Sequence, residues 1–179
     1  MRIVGGTHRG RPLLRVGKDT TRETADMVKV SIFNMLGSQM DGVVLDLFSG
    51  SGAYAFESLS RGAFFAYAVD HDKDAIKTIH ENAKKLGFEN KVFITLRDYD
   101  RFIDGLSDTV RFDYIFLDPP YNVIIYKDVI EKLLPYLNQK GYIICESKKQ
   151  VTIDNTFSSL DKIKEKVYGI KRVSIFQKK

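Results

Sequence analysis

Two rhythms of apolar residues alternate along this chain. Short, mainly apolar runs, rich in β-branched and aromatic residues, occupy 43–46, 65–69, 92–96, 112–117 and 142–146. Runs of that length and composition read as buried parallel strands. Between them the apolar positions recur at helical spacing. Residues 24–36 place Val28, Ile32, Phe33, Met35 and Leu36 on one side, with Gly37 as a stop. Residues 53–61 form a second helix ended by Gly62. In the next, Ala75, Ile76, Ile79, Ala83 and Leu86 make the apolar side, between a capping Asp72 and a terminating Gly87. A short helix covers 100–106, and another holds 129–134 and is shortened or kinked by Pro135. The alternation predicts an α/β fold with a mostly parallel sheet and helices on both faces.

The two ends of the chain break that rhythm. Residues 162–168 and 172–177 flank Gly169 and predict a hairpin that closes the sheet antiparallel. Residues 2–16 carry two strand-like pieces around a glycine-rich basic middle, which predicts an N-terminal β-hairpin. A boundary is expected after residue 22, with a basic arm over 1–22 and one domain over 23–179.

Composition narrows the class. The 179 residues suit one domain, and 44% hydrophobic content supports a sizeable core. Neither a span-length apolar run nor a signal peptide is present, so no membrane partner and a cytoplasmic location are expected. The single Cys145 falls in an apolar strand and reads as a small buried hydrophobe. His8, His71 and His80 do not cluster along the sequence, and no metal is expected. Charge is unevenly placed. Arg2, Arg9, Arg11, Arg15, Lys18 and Arg22 stand against Asp19 alone in the first 22 residues, which therefore carry the entire net charge of +5. A basic patch beside a neutral body points to a polyanionic partner, with those six side chains as its contacts. A solvated arm that only aids solubility is the plainer alternative.

The candidate chemistry lies at the ends of the predicted strands, where open α/β sheets bind ligands. The first strand ends at Asp46 and runs into Leu47-Phe48-Ser49-Gly50-Ser51-Gly52, whose glycines let backbone approach a ligand closely. The second ends at Asp70-His71, where a carboxylate can accept from both hydroxyls of a ribose. The third is followed by Asp98, which reads equally as a helix start. The fourth ends in Asp118-Pro119-Pro120-Tyr121, where two prolines remove two ladder donors in succession.

The glycine turn and the Asp-Pro-Pro-Tyr strand end together resemble class I S-adenosylmethionine-dependent methyltransferases that modify exocyclic amines. Arg2-Ile-Val-Gly-Gly, Arg9-Gly10-Arg11, Phe33-Asn34-Met35-Leu36 and Leu59-Ser60-Arg61-Gly62-Ala63 narrow the resemblance to the RsmD family. So does the tail Tyr168-Gly169 with Arg172-Val173-Ser174-Ile175. The resemblance covers essentially the whole chain. It implies a Rossmann-like, seven-stranded methyltransferase sheet and transfer to the N2 amine of a guanine in bacterial small-subunit ribosomal RNA. That RNA is met naked or within the assembled subunit. It also implies that Asp46, Phe48, Ser49, Gly50, Gly52, Asp70, His71 and Asp98 hold the cofactor, and that Asp118, Pro119, Pro120 and Tyr121 serve the reacting base. The chain departs from the family at Glu23, Met27 and Val30, which bears on RNA contacts and leaves the chemical motifs intact. Three alternatives remain open: a DNA amine methyltransferase, a protein-glutamine methyltransferase, and a non-catalytic RNA-binding module. The chain is short for a separate DNA-recognition region, Asp118 stands where glutamine methyltransferases usually carry Asn, and intact acidic strand ends argue for an enzyme.

Overall fold

A computed structural model describes residues 1–17, 22–120, 125–154 and 156–179, with residues 22–25 described as backbone only. Seven strands form one sheet: β1 (Val43–Asp46), β2 (Phe65–Asp70), β3 (Val92–Leu96), β4 (Phe112–Leu117), β5 (Leu137–Lys148), β6 (Leu160–Tyr168) and β7 (Lys171–Lys178). Their order is β3-β2-β1-β4-β5-β7-β6. The first five run parallel, and β7 pairs antiparallel with both β5 and β6. The strand order reverses between β1 and β4, the kind of switch point where α/β sheets place ligands.

Among the described residues five α-helices cover the sheet: α1 (Arg22–Leu36), α2 (Ala53–Ser60), α3 (Lys73–Leu86), α4 (Tyr99–Asp104) and α5 (Tyr126–Leu133). The first three pack Val28, Ile32, Phe33, Ala55, Phe56, Leu59, Ile79 and Ala83 on one face, against Val44, Ala66, Ala68 and Phe116. The last two bury Phe102, Ile103, Val129, Ile130 and Leu133 on the other, against Leu45, Ile115 and Ile143. Both faces being covered explains why β1 and, after Asp113, β4 read as apolar runs with no polar alternation. The caps expected for α3 are in place: the Asp72 carboxylate accepts from Asp74 N–H at 2.7 Å, and Gly87 takes the left-handed conformation. Cys145 is fully buried in β5, and burial pushes its thiol well up from the usual range.

One element departs from expectation. β5 begins at Leu137, five residues before the apolar run that announced it, because the chain pairs with β4 as soon as the single turn holding Pro135 ends. A register shift between Phe112 and Tyr114 and a positive φ at Lys140 absorb that early start. The N-terminal β-hairpin is present and short: Arg2 stands antiparallel to Pro12 across a 3₁₀ turn at Gly6–His8, with Ile3 N–H donating to the Arg11 carbonyl at 2.9 Å, Gly10 N–H to the Ile3 carbonyl at 2.9 Å and Leu13 N–H to the Met1 carbonyl at 3.1 Å. Pro12 has no N–H to give. Two other donors turn away from any ladder and onto α2: Val4 N–H reaches the Glu57 carboxylate at 2.8 Å, and His8 N–H reaches the Ser60 hydroxyl at 2.9 Å. Gly6 sits at φ +72 with the Ser60 carbonyl in the place where a Cβ would stand, so only glycine fits this contact. Ile3 and Leu13 enter the core, and the segment lies along α2 as part of the body. Among the described residues no helix is long and apolar enough to cross a membrane.

Candidate active site at the carboxyl edge of the sheet

Residues alternate faces along a strand, so the registers place several acidic groups together. Asp46 pairs with Ala68 on one side and Phe116 on the other. Asp70, Asp118 and Glu146 follow on the same face, each two residues past Ala68, Phe116 and Ile144. Four carboxylates thus line one edge of one face, beneath the start of α2.

Each is held differently. Asp46 is 1% exposed, and its carboxylate accepts from Ala55 N–H at 3.1 Å, tying β1 to the first turn of α2. Burial raises it to about 7, against the pull of the α2 backbone donors. Asp70 accepts from Gly50 N–H at 2.8 Å and from Asp72 N–H at 2.9 Å, so it clasps the glycine turn. Asp118 is partly open to solvent at the end of β4. Burial, then the Glu146 carboxylate, push it well above the usual carboxylate range, while the Lys171 ammonium pulls it back. Pro119 beside it is buried and Pro120 is exposed; Tyr121 lies outside the described residues.

The turn between β1 and α2 is built as its sequence implies. Gly52 adopts φ +78, and a Cβ there would stand 2.5 Å from the Phe56 ring. Space is open around the Cβ position of Gly50. Ser49 is buried and bridges the two strand ends: its hydroxyl donates to Asp46 carbonyl at 2.6 Å and accepts from Val69 N–H at 2.9 Å. Phe48 packs against Tyr99, with ring centroids 5.4 Å apart. Beyond the second and third strands, His71, Leu96, Arg97, Asp98 and Arg101 line a cleft of about 480 Å³. That volume lies within the ~300–1,000 Å³ usual for small-ligand sites. Asp98 is exposed there and also caps α4, accepting from Asp100 N–H at 3.0 Å. His71 is exposed, 3.7 Å from Asp70. The cleft, the open approach at Gly50 and the Asp70 carboxylate fit a nucleoside-bearing cofactor such as S-adenosylmethionine. Among the described residues no group of three or more His, Cys, Asp or Glu is disposed to hold a metal ion.

The predicted RNA contacts are spread along the N-terminal segment. Arg2, Arg9 and Arg11 are exposed, and Arg15 is half-buried. Arg9 and Arg11 lie just beyond the 3₁₀ turn, toward the far end of α2 from the glycine turn. Lys18 and the side chain of Arg22 lie outside the described residues.

Sequence reasoning missed three groups. Glu146 is 3% exposed in β5; Tyr54 donates its hydroxyl to Glu146 Oε2 at 2.5 Å, and Lys171 pairs with Oε1. A glutamate ending an apolar strand was the available signal, since the matching positions of β1 and β2 are the carboxylates Asp46 and Asp70.

Comparison with known proteins follows the same geometry. Residues 1–177 match the family described as conserved hypothetical protein 95. A Haemophilus influenzae protein named ribosomal RNA small subunit methyltransferase D is 30% identical over 182 residues, covering 99% of this chain and 93% of its own length. YlbH of Bacillus subtilis, described as a candidate rRNA methyltransferase, is 36% identical over 183 residues and is covered completely. Among solved structures, the Escherichia coli candidate methyltransferase yhhF aligns with a TM-score of 0.84 at 28% identity, over 99% of this chain and 97% of that one.

Proposed function

This chain belongs to the conserved hypothetical protein 95 family, the RsmD-type methyltransferases, and on that premise we propose that it transfers a methyl group from S-adenosylmethionine to the exocyclic N2 amine of a guanine in small-subunit ribosomal RNA. The observation that carries the reading is the juxtaposition at one sheet edge. The acceptor pair Asp118 and Pro119 stands two strands from Asp70 and directly beside the glycine turn, on the face that α2 covers.

In this reading Asp70 takes the ribose hydroxyls, Gly50 and Gly52 admit the backbone close to the cofactor, and Phe48, His71 and Asp98 border its base. S-adenosylmethionine supplies, when bound, a methyl group already attached to a strong leaving group. Asp46 and Ser49 act behind that surface, holding the turn. The guanine amine is a weak nucleophile because its lone pair is delocalised into the ring. Asp118 carboxylate and Pro119 carbonyl accept hydrogen bonds from its two hydrogens, favour a pyramidal nitrogen, and turn the lone pair toward the methyl group. Tyr121 stacks on the extruded base. Alignment of the reacting atoms is the main demand on the protein. The arginines of residues 1–22 dock the phosphate backbone.

Incubation with labelled S-adenosylmethionine and, separately, ribosomal RNA, assembled subunits and DNA tests the proposal. Label is expected on one guanine amine of small-subunit RNA, and the comparison of naked RNA with subunits identifies the form used. Asp118→Asn should bind cofactor with nearly unchanged affinity and lose transfer by about 10²-fold or more. Label appearing only in DNA, or full activity in Asp118→Asn, would refute the assignment.

A further inference from the structure

Lys171, Glu146 and Tyr54 have no part in the mechanism above, yet they stand beside its central carboxylate. Leu117 is in register with Cys145 on the parallel neighbour, so Asp118 and Glu146 follow in step, side by side on one face. Glu146 is 3% exposed, in a place where an apolar residue would avoid the cost of burying a charge. Both of its oxygens are engaged: Oε2 with the Tyr54 hydroxyl at 2.5 Å, Oε1 with the Lys171 ammonium. Its carbonyl accepts from the Tyr126 hydroxyl at 2.6 Å. The Tyr54 ring lies flat on Phe116, with centroids 4.8 Å apart and planes 9° from parallel. Phe116 is two residues before Asp118, on the same face. The cluster is therefore fixed from α2, β4, β5 and β7 at once.

We propose that Lys171 and Glu146 are positioning residues for methyl transfer: the Lys171 ammonium, anchored on Glu146, lets two neighbouring carboxylates coexist and keeps Asp118 the ionised acceptor that the amine requires. The inference rests on the amine-methyltransferase reading of the site. Among the described residues, the charged and titratable groups facing Asp118 are Glu146 from β5, Lys171 from β7, Asp46 from β1 and the Tyr54 hydroxyl from α2. Glu146 and Asp46 raise Asp118, and Lys171 lowers it. An acceptor carboxylate loses function as pH falls through its own titration, so these neighbours set the acidic limb of the rate profile. Removing the cation and removing the anion must then move that limb in opposite directions. A purely structural ion pair predicts lower stability in both cases and a limb that stays in place.

Two readouts decide the matter. One is the rate of methyl transfer to ribosomal RNA against pH. The other, which needs no activity, is the ¹³C NMR titration of the Asp118 side-chain carboxyl in the full chain, assigned by the signal that Asp118→Asn lacks. Lys171→Met should move both the limb and the carboxyl midpoint upward by roughly one pH unit or more, and Glu146→Gln should move both downward by a comparable amount. Lys171→Arg should return the limb toward its original position. Should Lys171→Met be too unstable to purify, the isosteric Glu146→Gln decides by the sign of its shift alone. Unmoved midpoints, or shifts of the same sign in the two variants, overturn the proposal. Absence of transfer to RNA by the wild-type protein overturns the functional reading instead, while the carboxyl titration still decides the role of the pair.

Discussion

The two ends of helix α2 solve the same problem differently. Toward its carboxyl end, Glu57 is fully buried and meets two cations, Arg61 at 2.8 Å and Lys29 at 3.6 Å, together with Val4 N–H. Lys29 in turn donates to Arg2 carbonyl at 2.5 Å. Charge there is matched within the fold, and the groups tie the N-terminal segment to α1 and α2. At the amino end of the helix, Asp46, Asp70, Asp118 and Glu146 stand together along one edge, with Lys171 paired to Glu146 and acting on Asp118. Negative charge is in excess, at the edge where the proposed mechanism brings a cationic cofactor and the hydrogens of an amine. A buried lysine–glutamate pair thus says little by itself. What the pair stands beside, a backbone amide to be anchored or a carboxylate to be kept ionised, separates scaffold from site.

Breaking the matched end should have the largest effect on stability and the least on chemistry. Glu57→Ala strands the Lys29 ammonium and the Val4 N–H, and should cost about 3–5 kcal/mol in urea unfolding while the acidic limb of methyl transfer stays where it was. A displaced limb would erase the difference between the two ends. At the other end, Asp46 is raised from 3.8 to about 7 in the fold. The native state therefore keeps a proton that the unfolded chain gives up, so this contribution is complete below about pH 4 and is lost as pH rises through about 7. At ~1.4 kcal/mol per unit the loss reaches a few kcal/mol. Unfolding of cofactor-free Asp46→Asn at about pH 5 and about pH 8 should show a flatter dependence than wild type; an equal slope would remove Asp46 as its source. A smaller effect is expected at Asp70. Its replacement by Ala should weaken cofactor binding by about 1–3 kcal/mol, read by calorimetry, with RNA binding unchanged. The smallest belongs to the outer surface of the segment that Glu57 anchors. Arg9→Ala with Arg11→Ala should reduce RNA affinity and flatten the slope of log affinity against log salt by roughly 0.7–0.9 for each phosphate no longer neutralised, with cofactor affinity intact. An unaltered slope and affinity would leave these arginines only a solubilising role.

The first four strands, the glycine turn and the Asp118-Pro119 strand end were legible because each is local. A β-branched run, a glycine pair and two prolines carry their meaning within a few residues. The buried charges were not. Lys29 stands three and four residues before Ile32 and Phe33 on the apolar stripe of α1, which was a usable sign of burial. Its partner Glu57 lies on another helix, and no short-range pattern joins the two. Asn82 is fully buried for a similar reason: from α3 it bonds Leu14 of the N-terminal segment, at 2.8 and 3.1 Å, and the Ser51 carbonyl of the glycine turn at 3.0 Å. The paired strands expected at the N-terminus form but stay short, since beyond the bonds that join Ile3 to Arg11 and Leu13 to Met1 the Val4 and His8 donors go to side chains some 50 residues away. Met27 and Val30, which depart from the family pattern, are exposed on α1, at 55% and 37%.

Lys171 opens β7, the last strand along the chain, and this has a consequence for how the molecule is made. The bond between Tyr54 and Glu146 already spans 92 residues, and the cation for Glu146 arrives 25 residues later still. Contacts so distant in sequence form late and slowly, because the loop must close before they contribute. A chain emerging from the ribosome with only its parallel strands assembled holds Glu146 without its ammonium and an unpaired β5 edge, open to pairing with another chain. Arrival of β7 removes both liabilities in one step. A substitution that slows the β6–β7 turn should therefore show itself first as aggregation during synthesis, before any loss of activity in the folded protein.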